Sequence, residues 1–193
     1  MTISYCKWES YIWKNELATQ SDRVAVHFAE AVSDDVSLKH NPYHMLDRAI
    51  VLSGFAIRRM VEKRLVTDRL AAEEINVRIF PARQNGDFRH PYVGYAGESA
   101  FRNYDLEWPL SQGLRIGDVA NEIIHASQIM VAHGEEDVPD GLLIASDWRL
   151  KDRLLHFTIE EFSSLVRLAL DDFVRFESEQ WDPETGKVFA TRD

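Results

Sequence analysis

The strongest periodic signal in the chain runs from Pro42 to about Arg64. Leu46, Ala49, Ile50, Ser53, Ile57, Met60 and Val61 recur at the spacing that stacks side chains on one helical face. Val51, Leu52, Phe55 and Ala56 widen that face until the middle of the helix is apolar nearly all round, which predicts a central, buried helix. Asn41-Pro42 marks its start, with Asn at the cap and Pro at the first position, where its missing N–H is not needed. Gly54 forfeits about 1 kcal/mol of helix propensity relative to Ala, so its presence predicts close approach by another element. Upstream, residues 4 to 32 read as helix broken near Thr19-Gln20-Ser21-Asp22, with Ser21 capping a second segment. Tyr11, Ile12 and Leu17, then Val24, Val26, Phe28 and Ala29, supply its apolar faces.

Beyond residue 70 the period changes. Ile75, Val77 and Ile79 alternate with polar or opposite-facing neighbours as in a strand, and Pro81 stops it. From there to about Leu114 no period is visible, over a span longer than structureless loops usually run inside a domain. Its aromatics, Phe88, Tyr92, Tyr95, Phe101, Tyr104 and Trp108, are expected to fold back onto the domain. A short helix begins near Gly117-Asp118 and carries Asn121, Glu122 and His125. Strands are then predicted at Gln128 to Ala132, Leu142 to Ser146 and Arg153 to Thr158, and their short connections imply an antiparallel meander. Thr158-Ile159-Glu160-Glu161 has the form of a capping box opening a last helix, striped by Phe162, Leu165, Val166, Ala169, Phe173 and Phe176. Residues 178–193 read as a weakly ordered tail. The predicted fold class is α+β: one domain over residues 1–177, with a helical lobe over about 1–70 and a mixed lobe over about 71–177. In that lobe a small antiparallel β-meander is covered by the C-terminal helix.

Composition narrows the setting. A chain of 193 residues buries roughly 70% of its unfolded surface on folding and needs no staple. Its one cysteine, Cys6, forms no internal disulfide, which favours a reducing compartment. The early charges Lys7, Glu9, Lys14 and Glu16 do not suit a signal peptide, and the apolar run Ala49 to Ile57 is far short of the roughly 20 residues of a membrane span. These features predict a cytoplasmic, bacterial-type protein with no membrane partner. The net charge of −10 disfavours duplex nucleic acid. Arg78, Arg83, Arg89 and Arg102 outnumber Asp87 and Glu98 locally, so a small anionic ligand or a short RNA is the expected partner there.

Candidate chemistry is sparse. H-E-x-x-H, paired cysteines, the P-loop, G-x-S-x-G and G-x-G-x-x-G are all absent, so no metal or cofactor is predicted. The best cluster is Asn121, Glu122 and His125, where helical spacing brings both polar side chains toward the His125 imidazole. Glu122-Ile123-Ile124-His125 also has the E-x-x-H spacing of di-iron helices, but its only counterpart is the reversed His27-Phe28-Ala29-Glu30. His40, His44 and His90 suit capping or surface roles. Arg58, Arg59, Lys63 and Arg64 compensate the dipole at a helix end, with Glu62 pairing to Arg58 or Arg59. The segment from Arg83 to Trp108 is the expected ligand or self-association surface, with Arg89, Arg102, Tyr92 and Tyr95 as candidates, joined by Arg115.

Asn121 and His125 together resemble the tail of the R-N-x-x-x-H motif of HEPN domains, helical modules of bacterial RNase toxins and defence proteins. The resemblance covers one helix of about ten residues, and Ala120 stands at the Arg position. It implies a ribonuclease in which Arg and His from two subunits form one site. Here His125 would be the general acid/base, Asn121 its orienting partner, and Arg115 or Arg102 the cation. Three functional expectations follow: a ligand-binding or regulatory module, a HEPN-like ribonuclease, or a structural protein that self-associates as a homodimer.

Overall fold

A computed structural model describes residues 6–33, 41–86, 88, 103–134 and 139–193 of the chain. It is an α+β fold with five helices and antiparallel sheets among these residues: α1 (Cys6–Ala31), α2 (Pro42–Glu62), α3 (Asp68–Ala72), β1 (Glu74–Pro81), β2 (Leu110–Arg115), α4 (Ile116–Ile124), β3 (Ala126–His133), β4 (Pro139–Ser146), β5 (Arg153–Phe157), α5 (Ile159–Asp171), β6 (Glu177–Asp182) and β7 (Lys187–Arg192).

The central helix is α2. Asn41 caps it by accepting from the N–H groups of Tyr43 and His44, and Pro42 occupies its first turn. Its buried face lies between α1 and α4. At Gly54 an added Cβ would stand 2.6 Å from Ile123 Cγ2, so the close approach predicted from this glycine is real, and α4 makes it. The break expected in α1 is not there; the helix runs unbroken through Ser21. The polar residues that suggested a break are satisfied inside the helix instead. Thr19 Oγ1 donates to the Asn15 carbonyl, and Gln20, which is buried, donates to Glu16 Oε1 at 2.6 Å.

The predicted meander is present as β3-β4-β5, but it is part of a larger sheet of order β2-β1-β5-β4-β3. β1 inserts between β5 and β2, pairing Arg78 with His156 on one side and Val77 with Gln112 on the other. Strand β2 was not legible because Leu114 is its one buried residue. The sheet has two apolar faces. Val77, Ile79, Leu114, Val131, Leu142, Ile144, Leu155 and Phe157 join the helices in the main core. The opposite face packs Leu143, Ala145 and Leu154 against Tyr104 and the half-buried Phe88. Those two aromatics fold back as expected, Tyr104 donating to the Leu150 carbonyl at 2.8 Å. Trp108 does not, and is exposed.

Thr158 and Glu161 complete both bonds of the capping box, and α5 buries Phe162, Leu165, Val166 and Ala169. It ends at Asp171, earlier than the stripe predicted. Phe173 and Phe176 lie beyond it and are exposed. Asp172 is what stops the helix: its carboxylate leaves the helical course to accept from Thr67 N and Thr67 Oγ1, at 2.7 and 2.6 Å. The buried Lys14 of α1 donates to the Leu170 and Asp172 carbonyls. The segment expected as a tail is instead the β6–β7 hairpin, which the Arg192 N–H ties to the body by donating to Asp68 Oδ2, while the Arg192 guanidinium pairs with Glu177 across the hairpin itself. Among the described residues, no helix is long and apolar enough to cross a membrane.

Candidate functional site

α4 covers the helix-side face of the sheet incompletely, and a cleft of about 550 Å³ opens beside it. The cleft is lined by Gln112 and Leu114 of β2, Asp118, Asn121 and Glu122 of α4, Trp148 and Arg149 of the β4–β5 turn, and Arg153 of β5. The alternation of β5 explains how a cation comes to be here. Leu155 and Phe157 face the helices, so Arg153, two residues earlier, faces the same way. A charge at an inward position needs a partner, and Arg153 has two. Its Nη2 forms an ion pair with Glu122, and its Nη1 donates to Gln112 Oε1 at 2.6 Å.

The ion pair is deeply set, with the Glu122 and Arg153 side chains 8% and 12% exposed. It leaves polar capacity over. Arg153 Nε, Glu122 Oε2 and Asn121 Oδ1 are buried and have no hydrogen-bond partner in the protein. Groups of this kind cost roughly 1–3 kcal/mol each if nothing meets them. Arg149 is tied to Asp152 at the rim at 3.0 Å, and Trp148 stands 60% exposed beside it.

The expected convergence of Asn121 and Glu122 on the His125 ring does not occur. His125 is the C-cap of α4, with φ −99° and ψ 20°, and no hydrogen bond joins its ring to either side chain. Only its backbone returns, donating to the Asn121 carbonyl at 3.1 Å. The imidazole has other company: Arg58 Nη1 lies 3.3 Å from Nε2, and the Trp148 ring packs edge-on with centroids 4.2 Å apart. Since a guanidinium only donates, Nε2 is the acceptor and the proton sits on Nδ1. Arg58 is held in turn by Glu62 at 2.6 Å, and Arg59 reaches Glu62 at 3.7 Å, the local pairing predicted for that helix end.

Arg115 is exposed at the N-cap of α4 and makes no capping bond through its side chain. Arg89, Arg102, Tyr92 and Tyr95 lie outside the described residues, as do His40, His90 and the acidic turn 135–137. Among the described residues no three His, Cys, Asp or Glu side chains gather as a metal site would require, and His27 bonds its own neighbour Glu30 at 2.7 Å.

On the opposite face of the sheet, His156 is a second histidine that periodicity alone did not single out. It is 1% exposed, with Arg78 Nη1 2.8 Å from Nδ1 and the Asp140 carbonyl 3.2 Å from Nε2. Burial, reinforced by the Arg78 charge, holds its pKa below the ordinary histidine value despite the opposing pull of Asp140 and Glu161. With both ring nitrogens engaged and the residue almost wholly buried, it serves as a strut.

The residues that sequence reasoning missed are Arg58, Gln112, Trp148, Arg149 and Arg153. Two of them left a signal: Arg153 as a charge in phase with inward-facing apolar residues, and Trp148 as a large aromatic in a charged turn. In comparisons with known proteins, no family model, no curated protein and no solved structure matches this chain. The functional reading therefore rests on geometry.

Proposed function

We propose that the protein is a ligand-binding module that takes a small polar molecule into the cleft beside α4. The observation that carries this reading is an opening of about 550 Å³ lined mostly by polar side chains, Gln112, Asp118, Asn121, Arg149 and Arg153 among them, with the exposed Trp148 ring beside it. That size falls within the roughly 300–1,000 Å³ usual for small-molecule sites. Asp118 and Glu122 balance Arg149 and Arg153, so the preferred ligand is neutral or zwitterionic rather than strongly anionic. A reducing, cytoplasmic setting belongs to this reading, because the single Cys6 has no internal disulfide partner. The test is thermal denaturation with guanosine, adenosine, uridine, L-glutamine and L-arginine, each at millimolar concentration. A ligand present at 100 times its Kd stabilises by about 2.7 kcal/mol, and the rise should vanish in Trp148→Ala, whose side chain is mostly in solvent. If none of the five raises the melting temperature, the reading is wrong.

One observation favours a second reading, the HEPN-like ribonuclease: a cation does stand at His125, but it is Arg58 of α2 rather than Arg115 or Arg102. In this reading His125 is the acid/base group and Arg58 steadies charge on the phosphate. It also calls for a homodimer, since the family's site draws on two subunits. Cleavage of single-stranded RNA by a dimeric fraction, lost in His125→Ala and Arg58→Ala with melting temperature little changed, would support it. Purified protein that leaves RNA intact would remove it.

A further inference from the structure

The end of α2 and the segment that links α5 to β6 meet around a second cavity, of about 320 Å³, which shares no residue with the cleft beside α4. Leu65, Phe173, Val174 and Phe176 give it an apolar wall. Phe173 and Phe176 are each 62% exposed, so much of that wall is open to solvent. Both are nonetheless held. Lys14 Nζ stands 3.5 Å from the centre of the Phe173 ring, and the backbone of Phe176 exchanges two hydrogen bonds with that of Asp193, at 2.9 and 3.0 Å. Large apolar side chains scattered singly over a surface need no explanation, but two fixed beside one hollow leave an apolar wall with nothing against it.

The same cavity carries cations. Arg64 and Arg175 line it, and among the described residues neither guanidinium has an ion pair or a hydrogen bond. The carboxylate beside them, Glu177, is engaged with Arg192 at 2.7 Å. Arg175 also lines a neighbouring hollow with Asp171 and Asp193, so Arg64 is the main positive charge here. Its backbone is a second, independent signal. Arg64 has φ 55° and closes α2 in a Schellman turn, its own N–H donating to the Val61 carbonyl at 3.0 Å and the Leu65 N–H to the Met60 carbonyl at 2.8 Å. That position favours glycine, which has no Cβ to clash, so an arginine there works against the fold and its side chain answers to something other than helix closure. We propose that this cavity binds an amphiphilic anion, an acyl chain with a carboxylate head. The chain packs on Phe173, Val174 and Phe176, and the head pairs with Arg64, with Arg175 beside it. The chain's net charge of −10 repels anions at large, so the local arginines are what select the head.

Isothermal titration calorimetry of the full chain would compare octanoate with hexanoate, octan-1-ol and octylammonium, all below micelle-forming concentrations, and co-sedimentation would add vesicles of phosphatidylglycerol. Octanoate should bind, and each methylene removed from its tail should weaken binding about fourfold. Octan-1-ol, with the same tail and no charge, should bind about fivefold more weakly, the upper range for a solvent-exposed ion pair, and octylammonium more weakly still. Arg64→Gly should bring octanoate close to octan-1-ol while raising the melting temperature, since it relieves the left-handed backbone. Phe176→Ala should weaken both ligands and leave the melting temperature nearly unchanged, because that ring is mostly in solvent. Octylammonium binding as tightly as octanoate, or an octanoate preference that survives Arg64→Gly, overturns the proposal at the head. Affinity that ignores chain length, or that Phe176→Ala leaves unchanged, overturns it at the tail. A lower melting temperature in Arg64→Gly would show that the arginine serves the fold, and overturns it as well. Binding to the vesicles without binding to monomeric octanoate would assign the patch to a membrane surface instead, and a folded protein that binds none of these probes leaves no such site.

Discussion

The Glu122–Arg153 pair offers a quantitative check on the architecture of the cleft. Arg153→Met keeps the length and apolar stem of the side chain but removes the guanidinium, which leaves the Glu122 carboxylate buried with no partner and Gln112 Oε1 without its 2.6 Å donor. Side chains only 8% and 12% exposed have little water to turn to. Breaking such a pair from one side costs about 3–5 kcal/mol. For a chain of this size that corresponds to a fall of roughly 6–20 °C in melting temperature. Glu122→Leu should cost a similar amount from the other side, since it strands the guanidinium with Gln112 alone. Replacing both removes both charges, and the double variant should return to within about 1 kcal/mol of the parent, because a buried pair roughly breaks even against apolar residues of the same volume. The assay is urea unfolding followed by far-UV circular dichroism, reading midpoints at constant slope and closing the four-protein cycle. Single variants that each cost under about 1 kcal/mol, or losses that simply add in the double variant, would show that the two side chains are solvated and uncoupled, and would refute the description of the cleft floor.

Two further outcomes follow from packing and titration. Gly54→Ala gains about 1 kcal/mol of helix propensity but forces a Cβ to within 2.6 Å of Ile123 Cγ2 and 2.9 Å of its Cβ. Overpacking of this kind costs about 1–3 kcal/mol, so calorimetric melting should show a net loss, and the Gly54→Ala penalty should shrink when it is measured in an Ile123→Ala background; a stabilised single variant would contradict the α2–α4 contact. His156 is held neutral by burial and by Arg78, so its folded-state pKa lies below the unfolded value of 6.5. Below pH 6.5 the unfolded chain takes up a proton that the folded one resists, and stability should fall as pH drops toward the folded-state pKa. In His156→Gln the unfolding free energy between neutral and mildly acid pH should lose part of this slope. An unchanged slope would mean that the histidine is not buried as described.

Much of the architecture was legible because it is written in local patterns. The Asn41-Pro42 start, the Thr158–Glu161 capping box, the alternation of β1 and the short apolar runs of β3, β4 and β5 between turns each depend on neighbours a few residues away. Gly54 went further, predicting a tertiary contact from its own cost. What escaped depended on partners distant in sequence. The polar step at Thr19 to Asp22 is the local exception: it reads as a helix break, yet Gln20 and Glu16 bond across one turn and the helix runs through. β2 carries too little buried surface to announce itself, and it is a strand because β1 offers it an edge. The C-terminal hairpin is anchored by Asp68, 124 positions from Arg192. At the site, Asn121 and Glu122 were found by helical spacing, but the residue that Glu122 answers to is Arg153, not His125, and the cation near His125 arrives from α2.

The place where β1 meets β5 has a consequence for how this sheet comes together. Pairs within the meander join residues close in the chain, as at Ala132 and Gly141. Arg78 and His156, by contrast, are 78 positions apart. Three doublings of loop length add on the order of 2 kcal/mol of closure entropy, so the meander zips first and its union with β1 sets the pace. Until that union the flank of β5 is an open row of donors and acceptors, and the β1 strand of a neighbouring chain fits it as well as the chain's own. At high concentration during refolding, strand exchange between molecules is therefore the failure this topology invites, and it begins at β5.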